Sequence, residues 1–254
     1  MSRLYDDRFY DWVNQTGRAS ARALLPLAYG AARPRSVVDV GCGEGAWLDE
    51  WRKLGVSDVC GVDGDYVSRQ RLLIPAEAFV AADLSRGFST PRRFDLAQSL
   101  EVAEHLPKAS GERFVDSLCA LSDIVMFSAA QPGQGGEGHV NERRPSDWAA
   151  DFAQRGYGAY DAIRPSLAHE PRVAPWYRFN TILYVNADGV ARLSDAAQAA
   201  RVADLRKLDD AGDLLWRVRK IALRPLPTDL VTKLSRARYR IACEWSRLSL
   251  RAAE

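Results

Sequence analysis

The sequence predicts an α/β fold: a mostly parallel sheet of seven strands, helices on both of its faces, and the last two strands antiparallel at one edge. Three observations lead there. Short β-branched runs alternate with helical stretches from residue 36 to about residue 155. Two more strand-like runs, 157–163 and 177–185, then follow with no helical pattern between them, which reads as a hairpin. A chain of 254 residues is also long enough to bury the core such a sheet needs.

Taken in order, residues 4–30 read as a helix, with Leu24, Leu25 and Leu27 clustered before a break at Gly30 and Pro34. Ser36–Val40 is the first strand and runs into Gly41-Cys42-Gly43-Glu44-Gly45. Ala46–Leu54 is helical, with Trp47, Leu48, Trp51 and Leu54 on one face. Val59–Val62 is the second strand, ending at Asp63, and Ala78–Ala82 the third, ending at Asp83. Phe94–Leu100 is the fourth, and a helical stretch starts near Glu104. Ile124–Ala129 is the fifth and opens into the loop QPGQGGEG. Trp148–Arg155 is helical and Gly156 ends it; Tyr157–Ile163 and Tyr177–Val185 are the last two strands.

From about Leu193 the chain becomes Arg-rich and helical, and over 214–251 ten basic residues face two acidic ones. Within it Leu230, Leu234, Ala237, Ile241, Trp245 and Leu248 recur at helical spacing, an amphipathic helix started by Thr228 after Pro227. The expected organisation is a ligand-binding domain over 1–190, with an N-terminal helical lid, and a basic helical appendage of the same domain over 191–254.

Composition narrows the class. The chain is 47% hydrophobic and 27% charged, with 18 Gly and 12 Pro, which excludes collagen, coiled coil and wholesale disorder. A net charge of +2 does not force a nucleic-acid partner. No apolar run is long enough to span a bilayer, and the start MSRLYDDRFYDWVN lacks the apolar region of a signal peptide. Cys42, Cys60, Cys119 and Cys243 are widely spaced with no C-x-x-C pair, which reads as reduced thiols in a cytoplasmic protein.

A strand followed by Gly41-x-Gly43-x-Gly45 bends tightly and brings bare backbone close to a ligand before a helix begins. With Ala46 the loop also satisfies a dinucleotide pattern, so by itself it leaves a nicotinamide cofactor open. Asp63, 22 residues past Gly41, suits the ribose of either cofactor. Three further features discriminate. Asp39 sits two residues before Gly41, where a carboxylate can hold a positively charged amino group. Asp83 ends the third strand, where it can accept from an adenine amino group, and Ser99-Leu100-Glu101-Val102-Ala103-Glu104-His105 follows the fourth.

The segments VVDVGCGEGAWL, VCGVDGD, VAADL and FDLAQSLEVAEHL, in this order and spacing, resemble the motifs of class I S-adenosylmethionine (SAM) dependent methyltransferases over about residues 36–185. The resemblance implies a Rossmann-like sheet of order 3-2-1-4-5-7-6 with strand seven antiparallel, and SAM as cofactor. It also implies roles: Asp39, Gly41 and Gly43 around the methionine part, Asp63 and Gly64 at the ribose, Asp83 and Leu84 at the adenine, Ser99 and Leu100 at the methionine end.

A sulfonium methyl is already electrophilic, so such an enzyme mainly aligns the nucleophile. If that nucleophile is an alcohol, a general base helps by about 10²–10⁴. Of the three histidines, His105, His139 and His169, the expected base is His139, after the glycine-rich loop at the carboxyl edge of the sheet; Glu101 is the second catalytic candidate. The loop itself suits a lid that excludes water.

FSAAQPGQGGEGHVNERRPSDWAADFAQRGY followed by WYRFNTILYV resembles small bacterial sugar O-methyltransferases, with those of methylmannose polysaccharide synthesis a narrower group. This implies a sugar or oligosaccharide acceptor, with Gln131, Gln134, Asn141 and Arg178 to bind hydroxyls and Trp176 or Tyr177 to stack on a sugar face. Glu101, Glu104, Glu137 and Glu142 offer oxygens for Mg²⁺, but no spacing forces a metal site.

Two other readings stay open. EVAEHLP also resembles ubiquinone-pathway methyltransferases, so a quinone or lipid phenol could be the acceptor, with the basic C-terminal helix in peripheral contact with an anionic membrane. The other is a SAM-binding protein without turnover. A nucleic-acid acceptor is disfavoured: no Asn-Pro-Pro or Asp-Pro-Pro motif follows strand four, and the basic surplus is confined to the tail.

Overall fold

The structure, a computed structural model, describes residues 7–223, 225–226 and 230–231. Five parallel strands come first: β1 (Ser36–Val40), β2 (Asp58–Asp63), β3 (Phe79–Ala81), β4 (Leu96–Leu100) and β5 (Ile124–Ser128). β7 (Ile182–Val185) runs antiparallel to both β5 and β6 (Gly158–Tyr160). The sheet order is β3-β2-β1-β4-β5-β7-β6, the order that the resemblance implies.

Alternation along each strand divides the core. Val37, Leu96, Ile124 and Met126 join one apolar cluster, whereas Val38, Ala97, Val125 and Phe127 join the other. The first is closed by Leu24, Leu25 and Ala28 of α1 (Asp7–Ala32) and by Leu48 and Trp51 of α2 (Ala46–Lys53). The second is closed by Phe114 and Leu118 of α3 (Gly111–Leu121) and by Trp148 and Phe152 of α4 (Pro145–Ala153). Strands of three to six residues cannot hold a sheet by pairing alone. The burial of each such side chain, about 1.5–3 kcal/mol, does so.

Four local expectations change. The last two strands are paired antiparallel but are not a hairpin, because α5 (Arg164–Leu167) and α6 (Pro175–Asn180) lie between them. The aromatic run WYRF reads as strand, yet Pro175 starts a helix, and the Ala174 carbonyl accepts from the Tyr177 and Arg178 amides. The helix expected from near Glu104 begins only at Gly111. Before it stand single 3-10 turns at 103–105 and 108–110, because Pro107 keeps Leu106 extended. Pro145 starts α4 three residues ahead of Trp148 for the reason that applies at Pro175.

Past the sheet come α7 (Ala187–Val190), α8 (Asp195–Ala199), a 3-10 run (Leu205–Asp210) and α9 (Leu214–Leu223). This stretch is laced to β6 and α4: Val202 N donates to Ala159 O at 2.9 Å, and Asp209 accepts from Ser146 N and Oγ at 2.9 and 2.7 Å. Of the amphipathic helix expected from Thr228 to Leu248, only Leu230 and Val231 are described, both helical; the rest, with Cys243, lies outside the described residues. Among the described residues no helix is long and apolar enough to cross a membrane, and Cys42, Cys60 and Cys119 are free thiols.

Candidate active site

The carboxyl ends of β1, β2 and β4 meet at the glycine loop. Gly41 has φ +83°, and a Cβ there would stand 2.3 Å from a Val102 methyl, so only glycine fits. Gly43, at φ +53°, has open space where a Cβ would point. Asp63 ties the loop together: Oδ2 accepts from Gly43 N at 2.7 Å, and Oδ1 from Gly64 N at 2.6 Å and the Tyr66 hydroxyl at 2.5 Å.

Asp39 is buried between Gly61 and Gln98 of the neighbouring strands. Burial pushes its carboxyl up to about 7, against a hydrogen bond with Gln98. Ser99 Oγ donates to Val40 O at 2.8 Å at the tip of β4, where Leu100 is buried. Asp83 is exposed and caps the next turn, accepting from Ser85 N at 3.0 Å, with Leu84 buried beside it.

A second cluster lies past the ends of β4 and β5. Glu101 directly follows β4 in a left-handed backbone, φ +57°, a conformation that concentrates at functional sites. Its carboxylate accepts from Gln134 Nε2 at 2.6 Å and Asn180 Nδ2 at 3.2 Å. Asn180 also bonds Gln134 and accepts from Gln131, whose Oε1 in turn accepts from Lys220 at 2.7 Å. Glu104 is fully buried, and its carbonyl accepts from the amides of Val140 and Asn141, which draws the segment after the loop against it. Neither oxygen of its carboxylate meets a partner in good hydrogen-bond geometry among the described residues, although the Glu104 and Ala130 amides stand close enough to favour its charged form. Burial, and then the nearby Glu101, hold Glu104 well above the usual carboxylate range.

His139 closes this cluster. Its Nδ1 lies 2.9 Å from Glu142 Oε1, and its Nε2 is 4.0 Å from Glu104 Oε1. A carboxylate only accepts, so Nδ1 carries the proton and Nε2 points its lone pair inward. Glu142 also accepts from Gly133 N and Gly135 N, both at 3.0 Å, so one carboxylate fixes both the loop and the imidazole. The His105 ring stands edge-on to His139 with centroids 4.9 Å apart. Gly136 presses on the imidazole: a Cβ there would come within 2.0 Å of Nε2.

His139, Glu101, Gln134 and Asn141 are therefore brought together, the last through Asn141 Nδ2 donating to Ala103 O at 3.3 Å. Arg178 is turned elsewhere, with its guanidinium 3.6 Å from Asp213 and over the Phe179 ring. Trp176 packs partly buried against the core. Sequence reasoning missed Asn180 because it sits on a helix read as strand. It also missed the orienting role of Glu142 and the contact of Gly136, whose signals, three residues from the histidine in each direction, carry no distinctive spacing.

SAM fits the first cluster: bare backbone at Gly41, open space over Gly43, and buried carboxylates on adjacent parallel strands. Residues 12–132 match the family described as a methyltransferase domain. The matched stretch, just under half of the chain, holds the glycine loop and β1 to β5. Among solved structures it is similar to DesVI of Streptomyces venezuelae, at 17% identity over 71% of this chain and 96% of that one, TM-score 0.52. It is also similar to the sugar N-methyltransferase KedS8 of Streptoalloteichus, at 17% identity over 71% and 92% of the two chains, TM-score 0.49. An O-methyltransferase family protein of Burkholderia thailandensis matches at 15% identity over 72% and 61%, TM-score 0.48. At such an identity the likeness to DesVI is one of fold alone. No curated protein matches the chain.

Proposed function

We propose that the protein is a SAM-dependent methyltransferase that acts on a hydroxyl of a sugar or oligosaccharide, with His139 as general base and Glu101 beside it. The observation that carries this reading is the Glu142–His139 pair, which turns the Nε2 lone pair toward the buried acids past β4. A hydroxyl must give up its proton as it is methylated, and an imidazole backed by a carboxylate suits that task. The polar wall of Gln131, Gln134, Asn180 and Glu101 favours a hydroxyl-rich acceptor. Gln131 also borders a cleft of about 340 Å³ lined by Arg144, Asp209, Arg217 and Lys220, room for one sugar unit.

When bound, SAM supplies an electrophilic methyl group on a sulfonium. The chain binds it with Gly41 and Gly43 at the methionine part, Asp39 on its amino group, Asp63 and Gly64 at the ribose, Asp83 and Leu84 at the adenine, and Ser99 and Leu100 beside the methionine. In the transfer the acceptor O–H bond breaks and its proton goes to His139 Nε2. The methyl group that SAM would supply takes the place of that proton on the oxygen, with S-adenosylhomocysteine as the other product. The test is a panel of saccharides scored for S-adenosylhomocysteine release; turnover confined to non-hydroxyl acceptors would sink the reading.

Two expected results follow from these assignments. Asp39 must be ionised to hold an ammonium group, and its carboxyl stands at about 7. SAM affinity measured by calorimetry should therefore rise between about pH 6 and 7.5, and Asp39→Asn should abolish that slope. By the same linkage the cofactor-free protein loses stability as pH rises from about 4 to 7, since the native state keeps a proton the unfolded chain has released. An affinity in wild type that stays flat over this range would remove the assignment. Gly136→Ala should push the His139 ring aside and lower kcat by about 10²-fold with little change in SAM affinity, because the added methyl occupies the place of Nε2. An unchanged kcat would mean the loop rides freely over the site.

A second reading, a lipid phenol taken at a membrane surface, is favoured by α9. It shows Leu214, Leu215, Val218 and Ile221 to solvent, 54–81% exposed, next to Arg217. Turnover with a soluble saccharide against a phenol in anionic vesicles separates the two.

A further inference from the structure

We propose that Glu104, His105 and His139 form a binding site for a divalent first-row transition metal ion. One ligand atom from each, a carboxylate oxygen and two imidazole nitrogens, lie within 4.8 Å of one another. Close grouping of acids and histidines is common without an ion, so the proposal rests on three further features. Glu104 is fully buried, yet neither carboxylate oxygen meets a partner in good hydrogen-bond geometry among the described residues. A buried carboxylate left so costs several kcal/mol unless a cation or a proton meets it. That carboxylate is aimed at the histidines, with Oε1 4.0 Å from His139 Nε2.

The second feature is the orientation of His139. Its Nδ1–H is donated to Glu142, which fixes the ring and leaves Nε2 as the ligand atom, the arrangement that supporting carboxylates impose on metal-bound histidines. The third is solvent access. The Glu104 and His139 side chains are 0% and 9% exposed whereas His105 is exposed, so the cluster opens on the His105 side, where an ion can enter and keep coordination positions for water or an acceptor hydroxyl. Two imidazoles and one carboxylate with open positions suit Mn²⁺, Fe²⁺ or Co²⁺ better than Mg²⁺, which prefers oxygen donors.

The inference deepens the hydroxyl-acceptor reading and rests on it for its role in the reaction. A hydroxyl placed at the open side would be held in register and made more acidic. Because the His139 lone pair is then a ligand, the proton passes to Glu101, the other acid of the cluster, and His139 becomes a positioning residue in the ion-loaded protein.

The experiment is a titration of the metal-free full-length protein with Mn²⁺, followed by loss of the free-ion electron paramagnetic resonance signal. One Mn²⁺ per chain is expected. His105→Ala and Glu104→Gln should each weaken binding at least tenfold, and Glu142→Gln about 10–100-fold. His105 is exposed, so its variant should keep the wild-type circular dichroism and serve if the Glu104 variant misfolds. Wild-type protein that binds no Mn²⁺, or a folded His105→Ala that binds it as tightly as wild type, would overturn the site. Saccharide turnover separates the two inferences. Mn²⁺ bound at the cluster without methylation of any hydroxyl would leave the site standing and sink the acceptor reading. Methylation that is indifferent to Mn²⁺ and chelator, in protein that binds no Mn²⁺, would do the reverse.

Discussion

Replacing His139 with alanine should lower kcat for a hydroxyl acceptor by about 10²–10⁴ while SAM affinity changes little. The separation follows from where the groups stand. The loop of Gly41 and Gly43 is held by Asp63, whereas His139 is held by Glu142 and faces Glu104 past the end of β4. Removing the imidazole leaves the bonds from Gly133 and Gly135 to Glu142 in place, so the loop keeps its shape. Glu142→Ala removes all three and should also raise the acceptor KM. If His139→Ala keeps more than about a tenth of the wild-type rate, alignment alone suffices or Glu101 takes the proton unaided. If it no longer binds cofactor or unfolds, the histidine is chiefly a brace for the loop.

Asp63→Ala should weaken SAM binding by about 1.5–3 kcal/mol, the scale for lost charge-assisted hydrogen bonds. Both its oxygens are already engaged with the loop, at Gly43 N, Gly64 N and the Tyr66 hydroxyl, so the carboxylate shapes the cradle as well as offering lone pairs to a ribose. Asp63→Asn keeps one carbonyl acceptor and should fall between the two. Calorimetry that finds wild-type affinity in the alanine variant would remove Asp63 from the site.

The sequence by itself determined the sheet and the cofactor loop. Parallel strands such as SVVDV and IVMFS are buried on both faces, so their side chains must be apolar, and that need is written into contiguous residues. The turn at Gly41 is equally local: a left-handed backbone under a Val102 methyl admits only glycine, and the pattern survives in one short segment. What only the tertiary structure decided lies in the second cluster. Asn180 reaches Glu101 from 79 positions away, and it does so because Pro175 turns an aromatic run into a helix, which no periodicity in WYRFN announces. The aim of His139 depends on Glu142 and on the amides that bring Val140 and Asn141 to the Glu104 carbonyl. The isolation of the Glu104 carboxylate is likewise a property of the packed fold. Strand and turn patterns arise from each residue's own conformational and burial demands, so a sequence can carry them. The environment of a buried charge is set by side chains from distant segments, and it comes into being only when the chain packs.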